Sequence, residues 1–415
     1  MCGPGHQHAC ERQTDVRFET VESPGQTAPV GPLGPQLQAW LTDLSGQSVT
    51  RTNRVRLLRD GADTFLAMLA LIEEAETEVL LENYIIRADA VGRAYAEALT
   101  RRAQGGVDVR VLHDPFGDPL SLVPLHLKFW QSRARLSIYN PPRPTLRYLR
   151  AWRDHRKLVV QDRTRLVAGG LCVADVWLGN CVRSCTWRDS AVLVEGGAAA
   201  QAAEAFDRLW QDAFALTWRR RKVTSHPIGP VGPAGDVPVR VLADEPGRRC
   251  SEQVLTAVID AAQREVLITN QYGLPPPPLS DALIAAARRG VDVRMILPPS
   301  SRPFFVGLAT EHRLGRLLES GVAVWHWTGA MMHAKTVVVD RCWSLVGSTN
   351  LDRLSLRRNA ELNVEIHGTS VGEQVAAMFE ADQASCARFS LRDWHNRPRW
   401  RRVETRLMAL AEPLM

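Results

Sequence analysis

The chain has 415 residues, 45% hydrophobic and 23% charged, which is ordinary for a globular protein and long enough for two fused half-domains. The net charge of +6 and an isoelectric point near 9.0 favour anionic partners, either a phospholipid surface or nucleic acid, without choosing between them. No apolar run reaches the roughly 18 residues that a bilayer-spanning helix needs. Phe65–Ile72 comes nearest, but Glu73-Glu74 stops it, and it fits a buried amphipathic helix.

Residues 1 to about 50 read as a mostly disordered segment. Pro24, Pro29, Pro32 and Pro35 are interleaved with Gly25, Gly31 and Gly34, and a short helix is expected over Gln36–Leu44, ended by Gly46. Cys2, His6, His8 and Cys10 could hold zinc in principle, but a Gly/Pro-rich tail argues against it. Eight cysteines carry no paired C-x-x-C framework and follow no signal-peptide pattern, so a reducing cytosolic setting is expected.

From Val55 the pattern turns regular. A strand over Val55–Leu58, a helix over Ala62–Ala75, a strand over Val79–Ile86, a helix over Ala90–Gln104 and a strand over Val107–Leu112 predict an α/β layer fold. Asp114 follows a strand and reads as a turn cap. Arg143, Arg147, Arg150 and Arg153 recur with Leu146, Leu149 and Trp152 between them. That pattern suits a basic amphipathic helix at an anionic membrane, an ordinary solvated face, or arginines turned to a substrate phosphate. Arg219-Arg220-Arg221-Lys222 precedes a Pro/Gly-rich linker over 223–238. The same alternation then resumes: helix Glu252–Ala262, strand Glu265–Gln271, helix Ser280–Arg289, and Gly290-Val291-Asp292-Val293-Arg294 echoing Gly106-Val107-Asp108-Val109-Arg110. Asn270-Gln271-Tyr272 is read as the echo of Glu82-Asn83-Tyr84. Trp400, Val403, Leu407, Leu410 and Leu414 form one helical stripe, read as core.

One spacing occurs twice. His155, Lys157 and Asp162 are followed by Gly169-Gly170; His333, Lys335 and Asp340 are followed by Gly347-Ser348-Thr349-Asn350. The offsets 333−155, 335−157 and 340−162 all equal 178, so the chain carries an internal duplication. Each Lys opens a β-branched run that reads as a buried strand, with His and Lys on one face. Two such units meeting would gather two imidazoles and two ammonium groups in one cleft. That set suits a phosphodiester: cations for the non-bridging oxygens, one imidazole to attack and one to protonate the leaving alcohol.

The duplicated His-x-Lys-x4-Asp pattern resembles the phospholipase D superfamily from about residue 54 onward. Glu82-Asn83-Tyr84-Ile85, Asp154-His155-Arg156-Lys157 and Gly347-Ser348-Thr349-Asn350-Leu351-Asp352 with Asn359-Ala360-Glu361 are closest to its bacterial cardiolipin synthase branch, of the type without N-terminal transmembrane helices. The resemblance implies two phospholipase D-like repeats, 51–222 and 239–415, each a mixed β-sheet flanked by helices, with one active site at the pseudo-twofold interface. It implies phosphatidyl transfer between two phosphatidylglycerol molecules through a phosphohistidine, giving cardiolipin and glycerol. A hydrolase using water as acceptor, a phospholipase or a nuclease, is the alternative. In that frame His155 attacks phosphorus, His333 serves as acid then base, and Lys157 and Lys335 hold the phosphate. Asp162 and Asp340 orient or charge-balance the opposite imidazole, and Ser348 and Asn350 donate hydrogen bonds to the phosphate. No metal is needed, nucleic acid is not the partner, one chain completes the site, and the protein works at the cytoplasmic face of an anionic membrane. The position matching Asn350 is Cys172 (172+178), a weaker hydrogen-bonding group.

Overall fold

The structure is a computed structural model that describes residues 34–118, 120, 132–139, 152–178, 186–215, 232–273, 275–299 and 313–397. The N-terminal tail with its Cys/His group, the arginines at 143, 147 and 150, Cys181 and Cys185, the Arg219–Lys222 cluster and the stripe from Trp400 lie outside the described residues.

The first half runs β1 (Thr50–Arg59), β2 (Glu78–Asn83), β3 (Asp108–His113), β4 (Arg135–Ile138), β5 (Lys157–Gln161), β6 (Arg165–Gly169), β7 (Ser190–Glu195) and β8 (Phe214–Ala215). The second runs β9 (Val237–Asp244), β10 (Glu265–Thr269), β11 (Asp292–Leu297), β12 (Ala323–Trp327), β13 (Thr336–Val339), β14 (Trp343–Gly347), β15 (Glu361–His367) and β16 (Cys386–Phe389). Their order across the sheet is β16-β12-β11-β10-β13-β14-β15-β9-β1-β7-β6-β5-β2-β3-β4-β8. Outward from the central β9–β1 pair, each strand is mirrored by the one eight later, which is the duplication written as topology. β2, β3 and β4 pair in parallel while β5, β6 and β7 pair antiparallel, so each half is a mixed sheet, as expected.

Helices close the layers. α1 (Pro35–Ser45) ends at Gly46 in the left-handed region, φ 59°. α2 (Asp60–Glu74) and α3 (Ala90–Gln104) bury Phe65, Met68, Leu71, Tyr95 and Leu99 against one face of the first half. α5 (Ser251–Ala261) and α6 (Pro277–Arg288) do the same for the second; α4 (Gly197–Asp212) and α8 (Thr369–Gln383) belong elsewhere. Phe206 of α4 and Phe379 of α8 enter a single shared core with Leu80, Val160 and Leu166 from one half and Leu267, Val338 and Val364 from the other. The halves are therefore fused through apolar burial, and that common core holds their site-bearing edges in fixed relation. Two short helices, α7 (Arg353–Arg357) and α9 (Leu391–His395), complete the described set of named helices.

The motif Asp residues explain their own spacing. Gln161–Thr164 and Val339–Cys342 are tight turns closed by Thr164 N–H to Gln161 O at 2.9 Å and Cys342 N–H to Val339 O at 3.1 Å. Asp162 and Arg163 have φ of 48° and 56°, Asp340 and Arg341 of 52° and 55°. Two successive positive φ values define a type I′ turn, where Asp is among the tolerated residues.

Candidate active site

The loops entering β5 and β13 bring His155 and His333 to the junction of the two halves, and backbone bonds across that junction fix them. His155 N–H donates to Ala360 O (2.9 Å) and Ala360 N–H to Arg153 O (2.7 Å). Symmetrically, His333 N–H donates to Arg188 O (2.7 Å) and Arg188 N–H to Met331 O (2.9 Å). Each histidine is thus tied to the strand-entry segment of the other repeat.

The side chains repeat that crossing. His155 Nδ1 lies 3.0 and 3.1 Å from the Oε1 and Oε2 atoms of Glu361, the first residue of β15. His333 Nδ1 lies 2.6 Å from Oδ2 of Asp189, the residue before β7. Both carboxylates are fully buried. A carboxylate at Nδ1 selects the tautomer with its proton there and leaves Nε2 with a lone pair. Glu361 is held by Ser348 Oγ–H at 2.5 Å and Asn359 Nδ2–H at 3.3 Å. Asp189 is held by Trp177 Nε1–H at 2.9 Å and Ser190 N–H at 2.8 Å. Gly170 has no room for a Cβ, which would overlap the Asp189 carboxylate.

The lysines flank this pair. Lys157 Nζ donates to His155 O at 2.5 Å and sits 5.4 Å from the Tyr84 ring centroid. Lys335 Nζ bonds His333 O and lies 3.1 Å from His333 Nδ1. Tyr84 meets the His155 ring edge-on at 5.0 Å; Trp177 and Trp187 flank His333 at 5.4 and 5.6 Å.

Electrostatics make both imidazoles neutral bases. Burial, with Lys335 adding to it against Asp189, pushes His333 down to about 4. Burial also lowers His155, with Lys157 and Lys335 adding to it and Glu361 opposing. Lys335 is pushed down to about 8 by burial, Asp189 opposing and Lys157 assisting. Burial alone would raise Asp189 and Glu361; the facing His and Lys groups overcome it and hold both low. Lysines from both halves act on both histidines, so the four groups share one field.

Two expectations are corrected. Asp162 and Asp340 do not reach the imidazoles. Asp162 accepts from the amides of Glu76, Thr77 and Glu78 at 2.9, 2.8 and 2.8 Å. Asp340 accepts from those of Gln263, Arg264 and Glu265 at 3.0, 2.7 and 2.9 Å. They fasten the β5–β6 and β13–β14 turns to the starts of β2 and β10. Ser348 is the second: its hydroxyl is directed to Glu361 and is fully buried, so it positions the carboxylate. Asn350 has a buried Oδ1, an acceptor, with no hydrogen-bond partner among the described residues. Cys172 is buried, its thiol raised by burial, and Lys157, Asp189 and Lys335 lie close enough to act on it.

The register of the tyrosines also changes. Asn83 stands opposite Lys157, and Asn270 is the equivalent residue, next after the Thr269–Thr336 pair that precedes Lys335 in the other strand. Both amides accept the N–H two residues on (Ile85 at 3.2 Å, Tyr272 at 3.1 Å) and donate to the carbonyls of Leu171 and Thr349. Tyr84 therefore matches Gln271, one residue from the sequence-based pairing.

Behind His155 the symmetry is broken. Arg156 is fully buried and donates to Glu361 O (3.2 Å), Ala205 O (3.0 Å), Asp244 O (2.9 Å) and Glu245 Oε2 (3.1 Å), with Glu82 Oε1 at 3.7 Å. Asp114 caps as expected, accepting from Phe116 N–H and Asp154 N–H at 2.9 and 3.0 Å. Burial pushes Asp114 up to about 7, Asp154 up to about 6, and Glu82 well up. The second half has Ala334 and Met332 at the positions of Arg156 and Asp154.

A duplicated mixed-sheet fold with two carboxylate-bound histidines and two lysines at its pseudo-twofold defines a phosphodiester-processing protein of the phospholipase D type. The model of the cardiolipin synthase, phospholipase D-like domain matches residues 255–383. Over 373 residues the chain is 30% identical to the major cardiolipin synthase of Bacillus subtilis, covering 88% of this chain and 76% of that one. Over 376 residues it is 30% identical to cardiolipin synthase A of Pseudomonas putida, covering 90% and 77%. Among solved structures, phosphatidylserine synthase of Haemophilus influenzae shares the fold at a TM-score of 0.69 with 15% identity, covering 90% of this chain and 96% of that one. The chain belongs to the cardiolipin synthase family of the phospholipase D superfamily.

Proposed function

We propose that this chain is a phosphatidyltransferase that joins two phosphatidylglycerol molecules into cardiolipin and releases glycerol. The observation that carries the reading is the crossed pair His155–Glu361 and His333–Asp189 flanked by Lys157 and Lys335, supported by relatives named cardiolipin synthase.

Neutral His155 attacks phosphorus through Nε2. An N–P bond forms as the P–O bond to glycerol breaks, and His333 gives its proton to the departing oxygen. His333 is neutral in the free site, but a bound phosphodiester anion beside it offsets Lys335 and favours the imidazolium. The hydroxyl of the second phosphatidylglycerol then loses its proton to His333, forms the new P–O bond and breaks the N–P bond. Lys157 and Lys335 hold the non-bridging oxygens throughout, with Asn350 as a further polar contact. Glu361 and Asp189 keep the tautomers and stabilise the charge each ring gains.

The enzyme works peripherally at the cytoplasmic face of an anionic membrane. The net charge of +6 supports this, as do Phe116 and Leu120, 64% and 87% exposed after β3, with Arg153 stacked 4.1 Å over Phe116 two residues before His155. Among the described residues no helix is long and apolar enough to cross a membrane.

The test is to incubate purified protein with phosphatidylglycerol vesicles and follow lipids and free glycerol by mass spectrometry. Cardiolipin and glycerol should appear together and vanish in His155→Ala and His333→Ala. Phosphatidic acid in place of cardiolipin would make water the acceptor and refute the transferase reading.

A further inference from the structure

We infer that Arg249, set beside Trp152 and Asn359, is the acceptor-side phosphate clamp that makes this site prefer an anionic lipid alcohol over a neutral one. This deepens the phosphatidyl-transfer reading and rests on it. The two substrates of that reaction pose a specific electrostatic problem. The donor phosphate occupies the lysines, and the acceptor brings a second phosphodiester three carbons from its attacking hydroxyl. Two like charges in one partly buried site repel, so an acceptor of this kind is disfavoured against water or a simple alcohol unless a further cation meets it.

Arg249 is placed for that task. It precedes α5 and lies on the His155 side of the site, where contacts run Arg249–Asn359–Glu361–His155. Nη1–H donates to Asn359 O at 3.3 Å, Asn359 Nδ2–H to Glu361 Oε1 at 3.3 Å, and Glu361 Oε1 lies 3.0 Å from His155 Nδ1. The guanidinium is 5.4 Å from the Trp152 ring centroid, which orients its plane. Its Nη2 is buried with no hydrogen-bond partner among the described residues, and so is Asn359 Oδ1. A buried guanidinium nitrogen with no acceptor is costly unless a ligand supplies one. The other arginines flanking His155 are committed: Arg153 has Asp114 at 3.8 Å and Arg156 has Glu245 at 3.1 Å. No carboxylate oxygen lies within hydrogen-bond reach of Arg249 among the described residues; burial lowers it, and the more distant charges of Asp244 and Glu361 oppose that.

The chemistry this arrangement fits is a glycerol phosphodiester. Its phosphate oxygen accepts from Nη2–H, its secondary hydroxyl donates to Asn359 Oδ1, and its primary hydroxyl points to the phosphohistidine. Guanidinium is the group of choice for such an anion because its fork matches phosphate geometry.

The test is a competition. Wild type, Arg249→Gln and Arg249→Lys are given phosphatidylglycerol vesicles with 1-butanol, and the ratio of cardiolipin to phosphatidylbutanol is measured, with thermal unfolding as the check on folding. In R249Q the ratio should fall about tenfold, the worth of one charge-assisted hydrogen bond, with R249K in between. An unchanged ratio in folded R249Q, whatever the total rate, overturns the assignment. A wild type that makes phosphatidylbutanol and phosphatidate but no cardiolipin overturns the cardiolipin-forming reading itself, and this inference with it.

Discussion

Replacing Glu361 by Gln keeps the shape of the side chain and removes its charge. In the native site both carboxylate oxygens lie within 3.1 Å of His155 Nδ1, and the group is fully buried. When His155 bonds to phosphorus its ring becomes cationic, so the carboxylate interacts more strongly with the intermediate than with the free enzyme. Unit charges about 3 Å apart at an effective dielectric near 20 interact by about 5 kcal/mol. A glutamine oxygen in the same place retains part of that as a dipole, which leaves a loss of about 3 to 5 kcal/mol. At about 1.4 kcal/mol per power of ten, kcat for cardiolipin formation should fall roughly 10²- to 10⁴-fold. KM should move little, because the lysines that hold the phosphate are untouched. Initial rates on phosphatidylglycerol vesicles measure the effect, with circular dichroism reporting that the fold is intact. A folded E361Q within about threefold of wild type would refute the assignment of Glu361 as the group that orients and stabilises His155.

Further expectations follow the same geometry. Asp162→Ala should lower the denaturant midpoint by an amount worth about 2 kcal/mol, because three backbone amides lose their acceptor, while kcat per folded molecule stays near wild type. A loss of kcat without loss of stability would instead place Asp162 in the chemistry. Arg156→Met should destabilise by about 3–5 kcal/mol, since it removes the cation beside Glu82, one of the two on Glu245 (Arg208 remains at 2.6 Å) and the donor to three buried carbonyls; chemical denaturation reads this. His333 is held neutral down to about pH 4, against 6.5 for an exposed imidazole. The unfolded chain therefore binds a proton that the native state refuses between those values, and stability falls as pH drops from 6.5 to 4, by up to about 3 kcal/mol. His333→Gln should flatten that part of the stability–pH curve. Lys335, at about 8, carries charge below that pH, so activity should decline as pH rises through 8, and a profile flat to pH 10 would contradict the role given to its charge.

The duplication was legible because β5, its turn and β6 are copied without insertion. His, Lys and Asp stay in register at 178, since a hairpin with a fixed I′ turn cannot lengthen without losing its pairing. Helices α3, α5 and α6 fell within a few residues of their predicted bounds, because their apolar stripes and flanking glycines are local signals. The strand expected to reach Ile86 stops at Asn83, where the amide folds back on Ile85 N–H. That same turn shifted the tyrosine pairing by one residue, a slip that moves a side chain to the other face.

Glu361 stood in the sequence inside a quoted motif, and neither it nor Asp189 gained a role there. The distance from Gly170 to Asp189 is 19 residues (189−170), but from Ser348 to Glu361 only 13 (361−348), so register search passes over them. Each also serves the histidine of the other repeat, 144 or 206 residues away, a relation that no local spacing encodes. The chain's sequence alone determined which chemical groups were duplicated and hence the class of reaction, because nucleophile and cations are residue types at fixed intervals. Only the tertiary structure decided which carboxylate each imidazole receives, that the motif Asp residues fasten turns, and that Arg249 reaches the His155 side of the site through Asn359 and Glu361. Those depend on the apolar core that docks one repeat on the other, and contact across a pseudo-twofold is a property of packing.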